Sequence, residues 1–150
     1  MIRPATTADI PAIVELGSRF FAESPAFAPL GYSATKIDAL VRRLIGDPCG
    51  FVRVIEREGE LLGGMMGMVS EHLASDAIVA TELVLFVSPG ARGNVWAARL
   101  AQQFLEWARD AGAVRCYAGT SSGVQPELCA RLYERLGFTR HSIGMVYAYV

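Results

Sequence analysis

One continuous stretch, residues 78–119, constrains the fold more than any other part of the sequence. It opens with Ile78–Val87, a nearly uninterrupted apolar run that suits a strand buried on both faces. A proline- and glycine-containing turn ends this strand, and a helix with one apolar face follows from about Arg92 to Ala111. Val114–Gly119 is the next predicted strand. Strand, helix and strand in this order predict a right-handed crossover between parallel neighbours.

The segments on either side of this unit supply more strands and helices. Apolar residues at helical spacing predict two helices before it and one after it, and a Glu58-Gly59 hairpin joins two further strands. The order β-α-α-β-β-β-α-β-α-β predicts an α/β fold with a mixed sheet flanked by helices. The remaining predicted elements are a strand at Ile2–Ala5, a helix ending near Glu23, a loop at Ser24–Tyr32, a helix ending at Gly46, strands at Phe51–Arg57 and Glu60–Ser70, a helix at Glu127–Leu136, and a strand or broken strand pair at Phe138–Val150.

Length and composition narrow the functional class. The 150 residues fit one domain spanning 1–150, and a formal net charge of -1 gives no electrostatic reason to expect nucleic acid or an anionic membrane as a partner. The longest strongly apolar stretch, Leu61–Val69, is too short to span a bilayer, and the first residues lack the apolar core of a signal peptide. Three cysteines without a Cys-x-x-Cys pair predict neither a disulfide framework nor a metal site. We therefore expect a cytoplasmic protein.

The turn between the buried strand and the long helix is the most informative stretch. A helix that begins after small residues presents unpaired N–H groups and the positive end of a dipole, which together bind phosphate. Arg92 adds a positive charge at the same place. The alternative is an ordinary helix start with a solvated arginine, and the turn alone does not decide between them.

Three segments of the chain, in their order and spacing, are similar to a known family. The strand, Pro89, Arg92-Gly93 and long helix resemble the acetyl-CoA pyrophosphate loop of the GNAT superfamily of N-acetyltransferases. Leu132-Tyr133-Glu134-Arg135-Leu136-Gly137-Phe138 resembles the family's second signature, and Ile2-Arg3-Pro4-Ala5-Thr6 resembles its usual beginning. Thr81–Val87 is similar to a subgroup frequent in phage-encoded GNATs. The resemblance covers the whole chain.

This resemblance implies a fold and a cosubstrate. The expected sheet is mostly antiparallel with one parallel pair, its fourth and fifth strands, and the expected cosubstrate is acetyl-CoA. The main chain at Leu85, Phe86 and Val87 would pair with the pantetheine arm, and the hydroxyl of Ser121 would contact the cosubstrate. Val95 stands where the family pattern usually has glycine, and its branched side chain would limit the approach of the pyrophosphate. The turn residues expected to hold the pyrophosphate are Arg92, Gly93, Asn94, Val95, Trp96 and Ala97.

Two residues are the candidates for proton transfer. The resemblance gives Tyr133 the role of acid that protonates the CoA thiolate, although a Tyr at this position also suits packing between helix and sheet. Glu82 is the candidate base, because a carboxylate inside an apolar strand is costly unless it is paired or faces a cleft. A solvated or salt-bridged strand residue is the alternative. Glu71 and His72, at the end of the preceding strand, are rivals for the same role.

The predicted activity is transfer of an acetyl group from acetyl-CoA to a primary amine, by direct attack in a ternary complex. The apolar loop Ser24–Tyr32 either walls the acceptor site or covers the core. One alternative function is a GNAT-fold module that binds acyl-CoA with weak or no turnover, and another is a nucleotide-binding α/β domain. The sequence does not identify the amine, which belongs to a small molecule or a protein, and it leaves a homodimer open.

Overall fold

A computed structural model of the chain describes residues 1–149. The helices are α1 (Ile10–Glu23), α2 (Ala34–Gly46), α3 (Trp96–Asp110) and α4 (Pro126–Arg135). The strands are β1 (Ile2–Pro4), β2 (Gly50–Arg57), β3 (Glu60–Glu71), β4 (Ile78–Val87) and β5 (Arg115–Tyr117). Within residues 1–149 no helix is both long and apolar enough to cross a membrane.

The five strands form one sheet in the order β1-β2-β3-β4-β5. Neighbouring strands are antiparallel except for β4 and β5, which are parallel and joined through α3. The hairpin between β2 and β3 turns at Glu58 and Gly59, both with positive φ, as a two-residue hairpin turn that follows the sheet twist requires. The predicted α/β fold with a mixed sheet and a parallel β4/β5 pair is confirmed.

Helices cover both faces of the sheet. On one face α1 and α2 pack over β2 through a cluster that includes Ile10, Val41 and Val54. On the other face α3 and α4 pack over the strands through a larger cluster centred on Phe104 and Leu100, both nearly inaccessible to solvent. These two layers leave the ends of β4 and β5 between α1 and α4, and the candidate site lies there.

The end of the chain departs from the sequence-based prediction. The prediction of a strand or broken strand pair over Phe138–Val150 is wrong for residues 138–149, which form neither helix nor strand. Val150 lies outside the described residues. Ile143 and Met145 are about nine-tenths exposed. A strand exists only where another strand pairs with its backbone, and residues 138–149 pair with none of the five strands of the described chain.

Candidate active site

A β-bulge in the middle of β4 begins the site. Val84 pairs with Met66 and Glu82 pairs with Gly67, so Leu83 has no counterpart on β3. An extra residue of this kind bends a strand and redirects its side chains. Gly67 is required opposite the bulge, because a Cβ atom there would lie 2.4 Å from the Phe104 ring. The bulge turns Glu82 and Leu83 toward the space between β4 and β5.

The two parallel strands separate at the same level. Their pairing covers only three positions and ends at Thr81 opposite Tyr117, whereas β4 continues to Val87. Beyond the last pair, the backbone N–H of Gly119 donates a hydrogen bond of 3.2 Å to Glu82 Oε2. A side-chain carboxylate thus accepts a bond where a strand carbonyl would normally do so. The result is a cleft between the diverging strands.

Glu82 lies in the wall of this cleft with a strongly perturbed acidity. Burial raises the pKa of its carboxyl group to about 7, and the hydrogen bond from Gly119 opposes the shift only in part. A carboxyl group with this pKa exchanges its proton near neutral pH, as a general acid or base must.

Tyr133 lines the same cleft from α4. Its side chain is buried, and its ring packs edge-on against Phe138 with centroids 5.1 Å apart. Burial, and then the nearby carboxylate of Glu82, raise the pKa of the phenol well above its ordinary value. The phenol therefore stays protonated near neutral pH and can donate a hydrogen bond into the cleft.

The cleft continues from Leu85 along β4 to the start of α3 in a cavity of about 370 Å³. Gly93 adopts φ 82°, a left-handed conformation that favours glycine, and Asn94 Oδ1 accepts a 3.0 Å hydrogen bond from the Trp96 N–H. α3 begins at Trp96, four residues later than predicted, because Arg92 is extended and Gly93 is left-handed. The predicted turn residues that line this cavity are Arg92, Gly93, Asn94 and Ala97, and from β4 it is lined by Leu85, Phe86 and Val87.

The remaining predicted cosubstrate contacts lie at different distances from this cavity. Ser121 lines the adjoining part of the cleft, beside Glu82. Val95 and Trp96 do not line the cavity, and Val95 is 54% exposed. The methyl groups that replace the usual glycine therefore project outward, and the steric obstacle expected from the sequence does not face the cavity.

Arg92 has a partner that the sequence did not reveal. Its guanidinium makes two hydrogen bonds, of 2.5 and 2.7 Å, to the carboxylate of Glu23 at the end of α1. Its Nε donates a third, 2.8 Å long, to the carbonyl oxygen of Val87. The arginine keeps the pKa of the Glu23 carboxyl below its usual range. The positive charge expected to attract phosphate is thus paired in this structure, and Arg92 ties α1 to the end of β4.

The rival bases lie elsewhere. Glu71 pairs with Ile78 at the far end of the β3–β4 ladder, four residues beyond the position opposite Glu82, or about 13 Å along the strand. The His72 ring nitrogen Nδ1 accepts a 3.2 Å hydrogen bond from the Ala74 N–H within the exposed turn. Neither residue lines the cleft.

Two contributions to the cleft were missed in the sequence. Ser24, fully buried, donates a 2.5 Å hydrogen bond from its hydroxyl to the carbonyl oxygen of Ser122 and accepts one of 3.1 Å from the Phe27 N–H. This hydroxyl holds the end of α1 against the loop after β5. Cys129, to which the sequence analysis gave no role in the site, lines the same cleft as Glu82. A buried serine in a loop sequence carries no local signal of a partner almost a hundred residues away.

Comparison with known proteins agrees with this geometry. Residues 14–138 match the model of the "Acetyltransferase (GNAT) family". The chain is 31% identical over 140 residues to "Uncharacterized N-acetyltransferase YjgM" of Escherichia coli (strain K12), covering 92% of this chain and 81% of that protein.

Solved structures give the same fold. The structure of AAC(6')-Iy in complex with the bisubstrate analog CoA-S-monomethyl-acetylneamine superposes with a TM-score of 0.80 at 15% identity, over 100% of this chain and 97% of that one. Glucosamine-6-phosphate N-acetyltransferase from Arabidopsis thaliana gives 0.74 at 16% identity, over 100% and 98%. The family match extends from the middle of α1 through both cleft-forming strands to the end of α4. The chain therefore belongs to the GNAT acetyltransferase family, as an enzyme that uses acetyl-CoA.

Proposed function

We propose that the protein transfers the acetyl group of acetyl-CoA directly to a primary amine, with Glu82 as base and Tyr133 as acid. The observation that carries this proposal is the partly buried carboxyl group of Glu82 in the same cleft as the Tyr133 phenol. Direct transfer in a ternary complex needs a group that takes a proton from the amine and a group that gives one to sulfur. Near pH 7 the Glu82 carboxyl group is partly ionised, as a base must be, and the Tyr133 phenol carries its proton, as an acid must.

The described residues fit acetyl-CoA along the whole cleft. Beyond Thr81 no strand of residues 1–149 pairs with the outer edge of β4, so the main chain around Leu85–Val87 is available to amide groups of the pantetheine arm. The start of α3 offers N–H groups and a helix dipole to the pyrophosphate. Acetyl-CoA supplies a thioester carbonyl carbon, and a backbone N–H near Phe86 would polarise its oxygen.

Each proton in the proposed reaction has a carrier. Glu82, ionised in part at neutral pH, takes a proton from the ammonium form of the acceptor, directly or through one water molecule. Glu82 then releases this proton to solvent. The amine nitrogen forms a bond to the carbonyl carbon as the carbon–sulfur bond breaks, and the Tyr133 phenol gives its proton to the departing thiolate. The nitrogen, which is now cationic, gives its second proton to Glu82, and that proton restores the phenol. The Ser121 hydroxyl, in the same cleft, is a contact for the cosubstrate.

The second candidate function, an acyl-CoA-binding module with little turnover, has lost its main support. That support was Val95 in the pyrophosphate turn, and its side chain projects away from the cavity. We also propose that the chain acts as one domain, in the cytoplasm, as a homodimer, without nucleic acid or membrane as a partner. Its position in the phage-type subgroup rests on the likeness of Thr81–Val87 alone.

The pairing of Arg92 with Glu23 leads to a test of the cosubstrate site. CoA should raise the melting temperature by binding only the folded protein, and Arg92→Glu should abolish most of that rise because it places a second negative charge beside Glu23 and the pyrophosphate. Glu23→Gln should strengthen CoA binding, since it frees the guanidinium. Arg109→Glu, at the other end of α3, is the matched control. Equal CoA-induced shifts in the wild type and all three variants would show that the pyrophosphate does not bind at this turn.

The acidity of Glu82 leads to a pH prediction. In the wild type, log kcat/KM should show an inflection near pH 7 as Glu82 ionises, in addition to the rise caused by deprotonation of the amine. Glu82→Gln keeps an oxygen to accept the Gly119 hydrogen bond, so it should fold, lose activity most at low pH and lack the inflection.

Stability measurements provide the control for this variant. The folded-state pKa of Glu82 lies above the ordinary value near 4.5, so ionisation destabilises the fold. The stability of the wild type relative to Glu82→Gln should therefore fall as pH rises from about 4.5 to 7. If the pH profile of kcat/KM is unchanged in Glu82→Gln and its melting temperature is lower, Glu82 has a structural role only.

Tyr133→Phe tests the acid. The phenol acts when negative charge develops on sulfur, so kcat should fall roughly 10- to 1000-fold while the KM for acetyl-CoA changes little. The measurement is steady-state release of the CoA thiol. Because Phe at position 133 keeps the ring contact with Phe138, the melting temperature should not change. Full activity in this variant would show that Tyr133 serves only in packing.

A further inference from the structure

An apolar chamber lies on the face of the sheet covered by α1 and α2. Its volume is about 230 Å³, larger than the roughly 150 Å³ cavity known to bind benzene in an engineered protein. α1 contributes Leu16, Phe20 and Phe21, the following loop contributes Phe27 and Tyr32, and β4 contributes Leu83.

The loop between α1 and α2 is packed into a wall of this chamber. Phe21 stacks against Phe27 at 5.8 Å and tilts against Tyr32 at 5.4 Å between ring centroids. The Tyr32 hydroxyl donates a 2.7 Å hydrogen bond to the carbonyl oxygen of Val14, and a Cβ atom at Gly17 would lie 2.7 Å from this hydroxyl oxygen. The apolar residues of this loop therefore border a cavity, with the one hydroxyl among them already bonded.

The chamber adjoins the catalytic cleft. Phe20, Phe27, Leu83 and Val84 line both spaces. Leu83 is the residue of the β-bulge, and Glu82 precedes it. An amine held at Glu82 would therefore have its substituent in the chamber.

The chemistry of the lining restricts that substituent. Among residues 1–149, the chamber is lined by no Asp or Glu, and Arg53 is its only charged residue. A second ammonium group would lose its hydration here without gaining a carboxylate, which is unfavourable. An apolar group of similar size gains free energy from leaving water. We infer, on the basis of the proposed function, that the acceptor is a primary amine on an apolar body about the size of a phenyl ring, rather than a polyamine or aminoglycoside.

A panel of amines tests this inference through thiol release from acetyl-CoA. The value of kcat/KM for 2-phenylethylamine should exceed that for ethylamine roughly 10- to 100-fold, the gain expected from burying an aromatic side chain. The values of kcat/KM for spermidine and tobramycin should be lower than that for ethylamine. Ile37→Glu, which adds a carboxylate to the wall from α2, should lower the rate with 2-phenylethylamine and raise it with spermidine. Leu73→Glu, in the fully exposed β3–β4 turn, is the control and should change neither.

The outcomes separate the two proposals. Faster turnover of spermidine or tobramycin than of 2-phenylethylamine would overturn the apolar acceptor and leave the transferase function standing. Absence of thiol release with every amine, in a protein stabilised by CoA, would overturn the transferase function. In that case binding of 2-phenylethylamine still tests the apolar site. A rise in melting temperature that Ile37→Glu removes would support the site, and the absence of any rise in the wild type would overturn it.

Discussion

The hydrogen bond from the Gly119 N–H to the Glu82 carboxylate is the interaction on which the site depends. In a continuous parallel pair, β4 and β5 would extend their ladder past Thr81 and Tyr117. The carboxylate instead accepts the next N–H from the neighbouring strand, and beyond it the strands diverge. The separation exposes the edge of β4, opens the cleft and places a titratable group at its inner end. One side chain thus sets the shape of the cleft and supplies its candidate base.

The two sides of this cleft differ in chemistry because different layers of the fold build them. Toward α3 the lining carries main-chain groups, Arg92 and Asn94, which suit a long polar cosubstrate. Toward α1 and α2 the lining is almost entirely apolar. Ser24 and Glu23, at the end of α1, fasten the two sides together through Ser122 and Arg92. A change at the end of α1 should therefore reach both substrates.

Sequence reasoning succeeded where the determinants are local. A nearly uninterrupted apolar run gave β4 with its observed bounds, and the proline-containing turn after it located the start of the cavity that we propose for acetyl-CoA. The cost of an acid in an apolar strand singled out Glu82. Reasoning failed where partners are distant in sequence: the Arg92–Glu23 pair spans 69 residues and the Ser24–Ser122 bond spans 98. The predicted C-terminal strand failed because a strand depends on pairing with a distant segment, and residues 138–149 pair with none of the five strands in the described chain.

The titration of Glu82 tests the central claim most directly, since it requires neither the acceptor nor turnover. Carbon-detected NMR of glutamate side chains, assigned with Glu82→Gln, would follow its carboxyl carbon through a pH series in the free protein. The account predicts a midpoint near pH 7, set by burial in the cleft. A midpoint near the ordinary value of about 4.5 would show a solvated carboxylate and contradict the role of Glu82 as a buried base.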